Sequence, residues 1–213
     1  EQNNVRPRFL RYRQELADVL QKMGGFLVNE NLLRRALALD EKLVADFPTV
    51  PEYRRDLGRG YWFLGKALGA LRQRAEQEKA FRAALAIQKH LVVEYPSVHE
   101  YRQHLAASHY GLADTLYWLN RPQEQRQALQ EAAAILERLV AECPTVLDYR
   151  HELAEGYYGL VFVFETSLQQ AEQRLRQALN LQEKLAADFP SITDCRADLL
   201  RSLRGYPKSF RCV

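Results

Sequence analysis

The chain has 213 residues, 47% hydrophobic and 27% charged, with 30 basic and 27 acidic side chains giving a formal net charge of +3. This length supports a sizeable core, and so weak a charge bias excludes the electrostatic footprint of a dedicated nucleic-acid binder. Ten Gly and eight Pro are too few for a collagen-like or disordered chain, and the longest apolar run, around Leu160 to Phe164, is far short of a membrane span. Three cysteines in unrelated contexts make no disulfide framework, which favours a reducing, cytoplasmic setting. No signal-peptide pattern opens the chain, and its first residue is Glu1 rather than Met, so further sequence is expected ahead of it.

The first element is a helix expected to start near Pro7, a residue suited to a first turn, and to end at a Gly24-Gly25 turn. A second helix carries Leu33, Ala36, Leu39, Leu43 and Phe47 on its buried side. The segment from Asp46 to Arg54, Asp-Phe-Pro-Thr-Val-Pro-Glu-Tyr-Arg, then recurs with variation at Glu94–Arg102, Glu142–Arg150 and Asp188–Arg196. Its prolines, Pro48, Pro96, Pro144 and Pro190, are spaced by 48, 48 and 46 residues. Leu16, Leu64, Leu112 and Leu160 keep the same 48-residue period, as do Ala36, Ala84 and Ala132, with Ala178 46 further on. The two missing residues imply a shorter join between Leu160 and Ala178.

Each repeat reads as a pair of helices. The pairs Thr49/Glu52, Ser97/Glu100, Thr145/Asp148 and Ser191/Asp194 predict a capping box at the start of each first helix. Tyr53, Leu57, Tyr61, Leu64 and Leu68 line one face of that helix, and Phe81, Ala84, Ile87, Leu91 and Tyr95 one face of the second. Each proline closes a second helix, because it cannot continue one. No helix of a pair buries its stripe alone, so consecutive pairs must stack into a solenoid. The predicted fold is all-α, with repeats at about 5–48, 49–96, 97–144 and 145–190, a half repeat over 191–204 and a tail over 205–213. The half repeat leaves Leu199, Leu200 and Leu203 to be covered by the tail, another subunit or further sequence.

Tyr61-x-x-Leu64-Gly65 and Phe81-x-x-Ala84, with 20 residues from Leu64 to Ala84, resemble the tetratricopeptide (TPR) family. The resemblance covers roughly residues 5–203 and implies a right-handed α-solenoid of helical hairpins. Relative to the 34-residue family unit, each hairpin is lengthened by two turns at the end of its second helix and two at the start of its first. Long variants with this Phe-Pro-x-x-x-x-Tyr-Arg signature resemble arrays beside Ser/Thr protein kinase domains of planctomycete-like bacteria. That implies an accessory region of a larger signalling protein.

The chemistry-bearing residues form no catalytic constellation. The glycine-rich loop, His-Arg-Asp and Asp-Phe-Gly segments of a kinase are missing from the sequence, as is a phosphate-cradling Gly-x-x-x-x-Gly-Lys. His90, His99, His104, His109 and His151 lack metal-ligand spacing, and Cys143 and Cys195 occupy slots held elsewhere by Phe or Tyr, as core fillers would. Cys212 falls in the tail. No enzyme, metal or cofactor is expected. Arg54, Arg102, Arg150 and Arg196 could form a ladder reading phosphate or carboxylate. The preferred reading is structural: each follows an acid by eight residues (Asp46, Glu94, Glu142, Asp188) and offsets its charge at a helix end. The Lys/Glu run from Glu76 to Lys79 reads as a solvated helix face.

The resemblance implies a concave face lined by the first helices, with ligand contacts near the motif leucine. Those positions carry Trp62 and Lys66, Tyr110 and Asp114, Tyr117 and Trp118, and Tyr158 and Phe162. Such an aromatic stripe fits a peptide- or protein-binding groove, and it equally fits inter-repeat core. Of the Lys/Asn/Arg set that clamps a C-terminal carboxylate in relatives, Lys66 alone remains. The expected function is a non-catalytic protein–protein interaction scaffold, with no nucleic acid and no membrane among its partners; Asp114, Glu155 and Glu165 on the groove side disfavour RNA. The alternative is an oligomerisation or spacer module that self-associates through the unfinished C-terminal end.

Overall fold

A computed structural model describes residues 2–164 and 168–189. Among them are eight helices and no strands: α1 (Gln2–Phe26), α2 (Glu30–Asp46), α3 (Pro51–Ala70), α4 (Arg74–Glu94), α5 (His99–Trp118), α6 (Pro122–Glu142), α7 (Leu147–Phe164) and α8 (Leu168–Asp188). The starts of α3, α5 and α7 are 48 residues apart. The chain divides into two compact units, Glu1–Arg121 and Pro122–Val213. Expectations placed on residues 190–213, including the half repeat, Pro190, Cys195, Arg196 and Cys212, lie outside the described residues. So does part of the shortened join after Leu160, at residues 165–167.

In the first unit α1 packs on α2, α2 on α3, α3 on α4 and α4 on α5. First helices also touch, α1 on α3 and α3 on α5. Leu33 and Leu37 of α2, Leu57, Leu64, Ala67 and Leu68 of α3 and Ala80 of α4 form one buried cluster. Each fully buried leucine contributes about 1.5–3 kcal/mol relative to exposure, so the period-3.6 stripes are what hold these helices together. In the second unit α7 packs on both α6 and α8, burying Leu136, Leu139, Leu153, Leu160 and Leu185.

The joints between hairpins are β-turns. The Val50 N–H donates to the Phe47 carbonyl at 3.2 Å, Val98 to Tyr95 at 3.1 Å and Val146 to Cys143 at 3.2 Å. Pro48, Pro96 and Pro144 take the position of each turn that their fixed φ suits, and the hydroxyl residue follows. This corrects the expected capping boxes. The N-caps of α3 and α5 are Val50 and Val98, with no side-chain cap bond, because Thr49 and Ser97 are used inside the turn. A side-chain cap does form at α2, where Asn29 accepts from the Leu32 N–H at 3.1 Å.

Turns within hairpins also differ from expectation. Val28, Arg72 and Asn120 take left-handed φ values of 51°, 59° and 54°. The next residue in each case donates back across the helix end: Asn29 to Gly24, Gln73 to Leu68 and Arg121 to Leu116. Gly24 and Gly25 lie inside α1, not in the turn. A Cβ at Gly24 would stand 2.7 Å from Leu33 Cγ, and one at Gly25 2.7 Å from Phe63 Cδ1, so these glycines admit α2 and α3. α1 begins at Gln2, which puts Pro7 in its second turn instead of its first.

Phe81 is fully buried between two successive first helices. A Cβ at Gly65 of α3 would lie 2.8 Å from its Cζ, and one at Gly111 of α5 would also meet the ring. Other repeats hold leucine in this slot: Leu33, Leu129 and Leu175. Gly111→Ala should therefore destabilise by about 1–3 kcal/mol despite its better helix propensity, through overpacking. Phe81→Leu in the same chain should recover part of that loss in thermal unfolding. A neutral or stabilising Gly111→Ala would contradict this packing.

Candidate functional site

Trp62 and Lys66 stand one turn apart on α3, with Lys66 Nζ 5.6 Å from the Trp62 ring centroid. Trp62 is half-buried. Its indole N–H donates to the Ala107 carbonyl of α5 at 3.4 Å, and its ring meets Phe63 edge-on at 5.2 Å. It thus spans two first helices and is partly core, partly surface. On α5, Tyr110, Asp114 and Tyr117 follow at helical spacing along one face. Tyr110 is half-buried, Asp114 is exposed, and Tyr117 and Trp118 remain 59% and 58% exposed. Their rings touch edge-on at 5.3 Å. The Arg74 guanidinium at the start of α4 lies 5.0 Å over the Trp118 ring, at the hairpin-turn end of the stripe. No spacing in the sequence marks Ala107 or Arg74 as a neighbour of the aromatics. In the second unit, Tyr158 is half-buried on α7, while Phe162 lies on α7 with its side chain outside the described residues.

Two of the described arginines, Arg54 and Arg150, form structural ion pairs with acids other than those eight residues behind them. Arg54 grips both oxygens of Glu94 at 2.7 and 2.8 Å, and Arg150 bonds Asp188 at 2.6 Å. Asp46 is held instead by Arg13 at 2.9 Å. In each case a first helix pairs with the end of the second helix of its own hairpin, because antiparallel packing brings those ends together. The Arg54 hydrogen bonds hold the Glu94 carboxyl below its usual range. The run from Glu76 to Lys79 is not a solvated face throughout: Lys79 and Glu76 pair at 2.7 Å, but Gln77 is buried and Glu78 is half-buried against Arg121 at 2.8 Å.

Polar pairs between the two helices of a hairpin or its neighbour follow the repeat as well. The Tyr61 hydroxyl donates to Glu41 at 2.8 Å, and Tyr157 to Glu137 at 2.8 Å. Burial and then the neighbouring carboxylate push both phenols up, Tyr61 to about 12. The matching positions in the repeat between are His109 and Lys89. His109 is buried, its Nδ1 has no hydrogen-bond partner, and burial followed by the Lys89 charge lowers its pKa to about 4. Asp40 shows the opposite sign. It is buried against Gln21, whose amide donates to it at 2.6 Å, and burial raises its pKa to about 7. Its contribution to stability is full at low pH and is lost as pH rises through about 7. No group of three or more His, Cys, Asp or Glu suited to a metal ion occurs among the described residues, and none of their helices is long and apolar enough to cross a membrane.

No protein-family model matches this chain, and no curated protein matches it significantly. Solved structures do. The crystal structure of BtubC (BKLC) from P. vanneervenii aligns over 90% of this chain and 80% of its own, at 20% identity and a TM-score of 0.55. A Podosopora anserina putative kinesin light chain with nearly identical TPR-like repeats aligns over 93% and 86%, at 27% identity and a TM-score of 0.49. A thermophilic TPR protein of Thermus thermophilus aligns over 88% and 98%, at 19% identity and a TM-score of 0.39. The fold is all-α and TPR-like, a stack of helical hairpins.

Replacing His109 and Lys89 together by Tyr and Glu should restore the tyrosine–carboxylate pair of the neighbouring repeats. A hydrogen bond to a charged acceptor contributes about 1.5–3 kcal/mol, so the melting temperature should rise by several degrees. Unfolded His titrates near its ordinary value of about 6.5, so the native chain loses stability as pH falls from there toward 4. The gain should accordingly widen between pH 7 and 5 in thermal melts; a gain independent of pH would contradict the assignment.

Proposed function

We propose that this chain is a non-catalytic protein-interaction scaffold that takes a peptide or protein segment on the first-helix side of α3 and α5. The observation that carries the reading is the pair of exposed aromatics, Tyr117 and Trp118, on the same helix as exposed Asp114. Trp62 and exposed Lys66 sit on the adjoining first helix. Large aromatics on rigid helices supply contact area at little entropic cost, and interface hot spots favour Trp and Tyr. Lys66 and Asp114 bring opposite charges, so the surface suits an apolar or aromatic anchor with charged flanks of both signs. The TPR-like fold supports a scaffold in general terms. The resemblance to repeats beside bacterial Ser/Thr kinase domains supports, more finely, an accessory region of a larger cytoplasmic signalling protein.

Selection from a displayed random-peptide library on the purified chain tests this. Tyr117→Ala with Trp118→Ala should weaken the selected peptides at least about tenfold, and Lys66→Glu should weaken those with acidic flanks. Val93→Ser, at a position 80% exposed on α4, should leave binding unchanged. Peptides that lose affinity with Val93→Ser and keep it without the two aromatics would overturn the assignment.

A further inference from the structure

α1 carries an unpartnered apolar stripe. Tyr12, Leu16, Val19, Met23 and Phe26 recur at spacings of four, three, four and three, a two-heptad seam, and all five are exposed. Leu16 shows what is unusual here. Its equivalents Leu64, Leu112 and Leu160 are buried, whereas Leu16 is 46% exposed. The residue sizes on this face also differ from those of the internal first helices. The equivalents of Tyr12 are Gly60, Ser108 and Gly156, all small and all buried. A Cβ at Gly60 would lie 2.9 Å from Leu37 of the covering α2, so that packing leaves no room for a tyrosine. Val19 stands where α3 and α5 have Ala67 and Thr115, and where α7 has Val163. The face is built for side chains meeting side chains, as across a coiled-coil seam.

We propose that α1 is a dimerisation helix that pairs antiparallel with α1 of a second copy of this chain. An isologous two-fold axis near residues 17 and 18 brings Leu16 against Val19 of the partner subunit and Tyr12 against Met23 of the partner subunit. The charges flanking the seam fit that arrangement. Glu15 and Lys22, both exposed, lie one heptad apart along one side of it, so each Glu15 meets Lys22 of the partner subunit. A parallel pair would set Glu15 against buried Leu20 of the partner subunit and forfeit the match. Glu15 now pairs with exposed Arg11 at 2.8 Å, and Lys22 with half-buried Asp18 at 2.7 Å, an acid that Arg59 also holds, so Asp18 keeps a partner when Lys22 turns away.

Sedimentation velocity and light scattering on the purified chain test the proposal. The mass should rise from 24.7 kDa to twice that value as concentration increases to about 200 µM. Val19→Glu, at a half-exposed position that preserves helicity by circular dichroism, should remain monomeric throughout. Glu15→Lys should weaken the dimer about tenfold, and Lys22→Glu in the same chain should restore it. A monomer at every concentration overturns the proposal. So does a dimer indifferent to both single variants, which would form through another face such as the C-terminal end, and so does a failure of the charge swap to restore affinity.

Discussion

Phe81 occupies a slot that exists because two successive first helices present glycine to it, Gly65 from α3 and Gly111 from α5. A ring that large, wholly removed from water, fixes how closely α4 can sit against both neighbours. Interiors pack at crystal-like density, so the spacing is not adjustable without cost. Everything displayed on the first-helix side inherits it. Trp62 reaches the Ala107 carbonyl because α3 and α5 are held at this separation. The aromatic and charged residues of those helices therefore form one surface, not a set of independent side chains.

Around that interlock, ion pairs tie the ends of the helices together, while a few polar groups such as Gln21, Asp40 and His109 are buried along their length. Arg54 and Arg150 tie the start of a first helix to the end of its partner, where the macrodipole disfavours the acids Glu94 and Asp188. Proline turns supply the joints without side-chain caps, and left-handed residues supply the hairpin ends. The repeat tolerates exceptions where a neighbour compensates. The exchange of Tyr and Glu for His109 and Lys89 is one that lacks such compensation, and it leaves a buried imidazole neutral. α1 departs from its equivalents differently, since Tyr12 stands where the internal repeats have Gly60, Ser108 and Gly156.

Much of this architecture is legible in the sequence, because burial on a helix leaves a period that composition cannot mimic. The 48-residue spacing and the two helices per repeat, with prolines at the joints, reappear in the helix boundaries. Other features carry no distinguishing spacing. Asp46 and Glu94 are equivalent positions one period apart, so periodicity alone cannot choose which of them Arg54 grips. Thr49 and Ser97 have the composition of caps, but a backbone turn closes the same gap one residue later. Gly24 and Gly25 resemble turn glycines, whereas their role is to admit Leu33 and Phe63, a contact visible in three dimensions alone. The Arg74 contact at the turn end of the aromatic stripe is hidden for a similar reason: Trp118 lies one position beyond Tyr117, and on a helix that rotates it toward Arg74.

The account stands on the stacking of consecutive hairpins through a shared aromatic. Nuclear Overhauser contacts from the Phe81 ring protons measure this directly. They should reach the α-protons of both Gly65 and Gly111. Contacts confined to Gly65, within its own hairpin, would mean that α5 is stacked in some other way and that the surface shared by α3 and α5 does not exist as described.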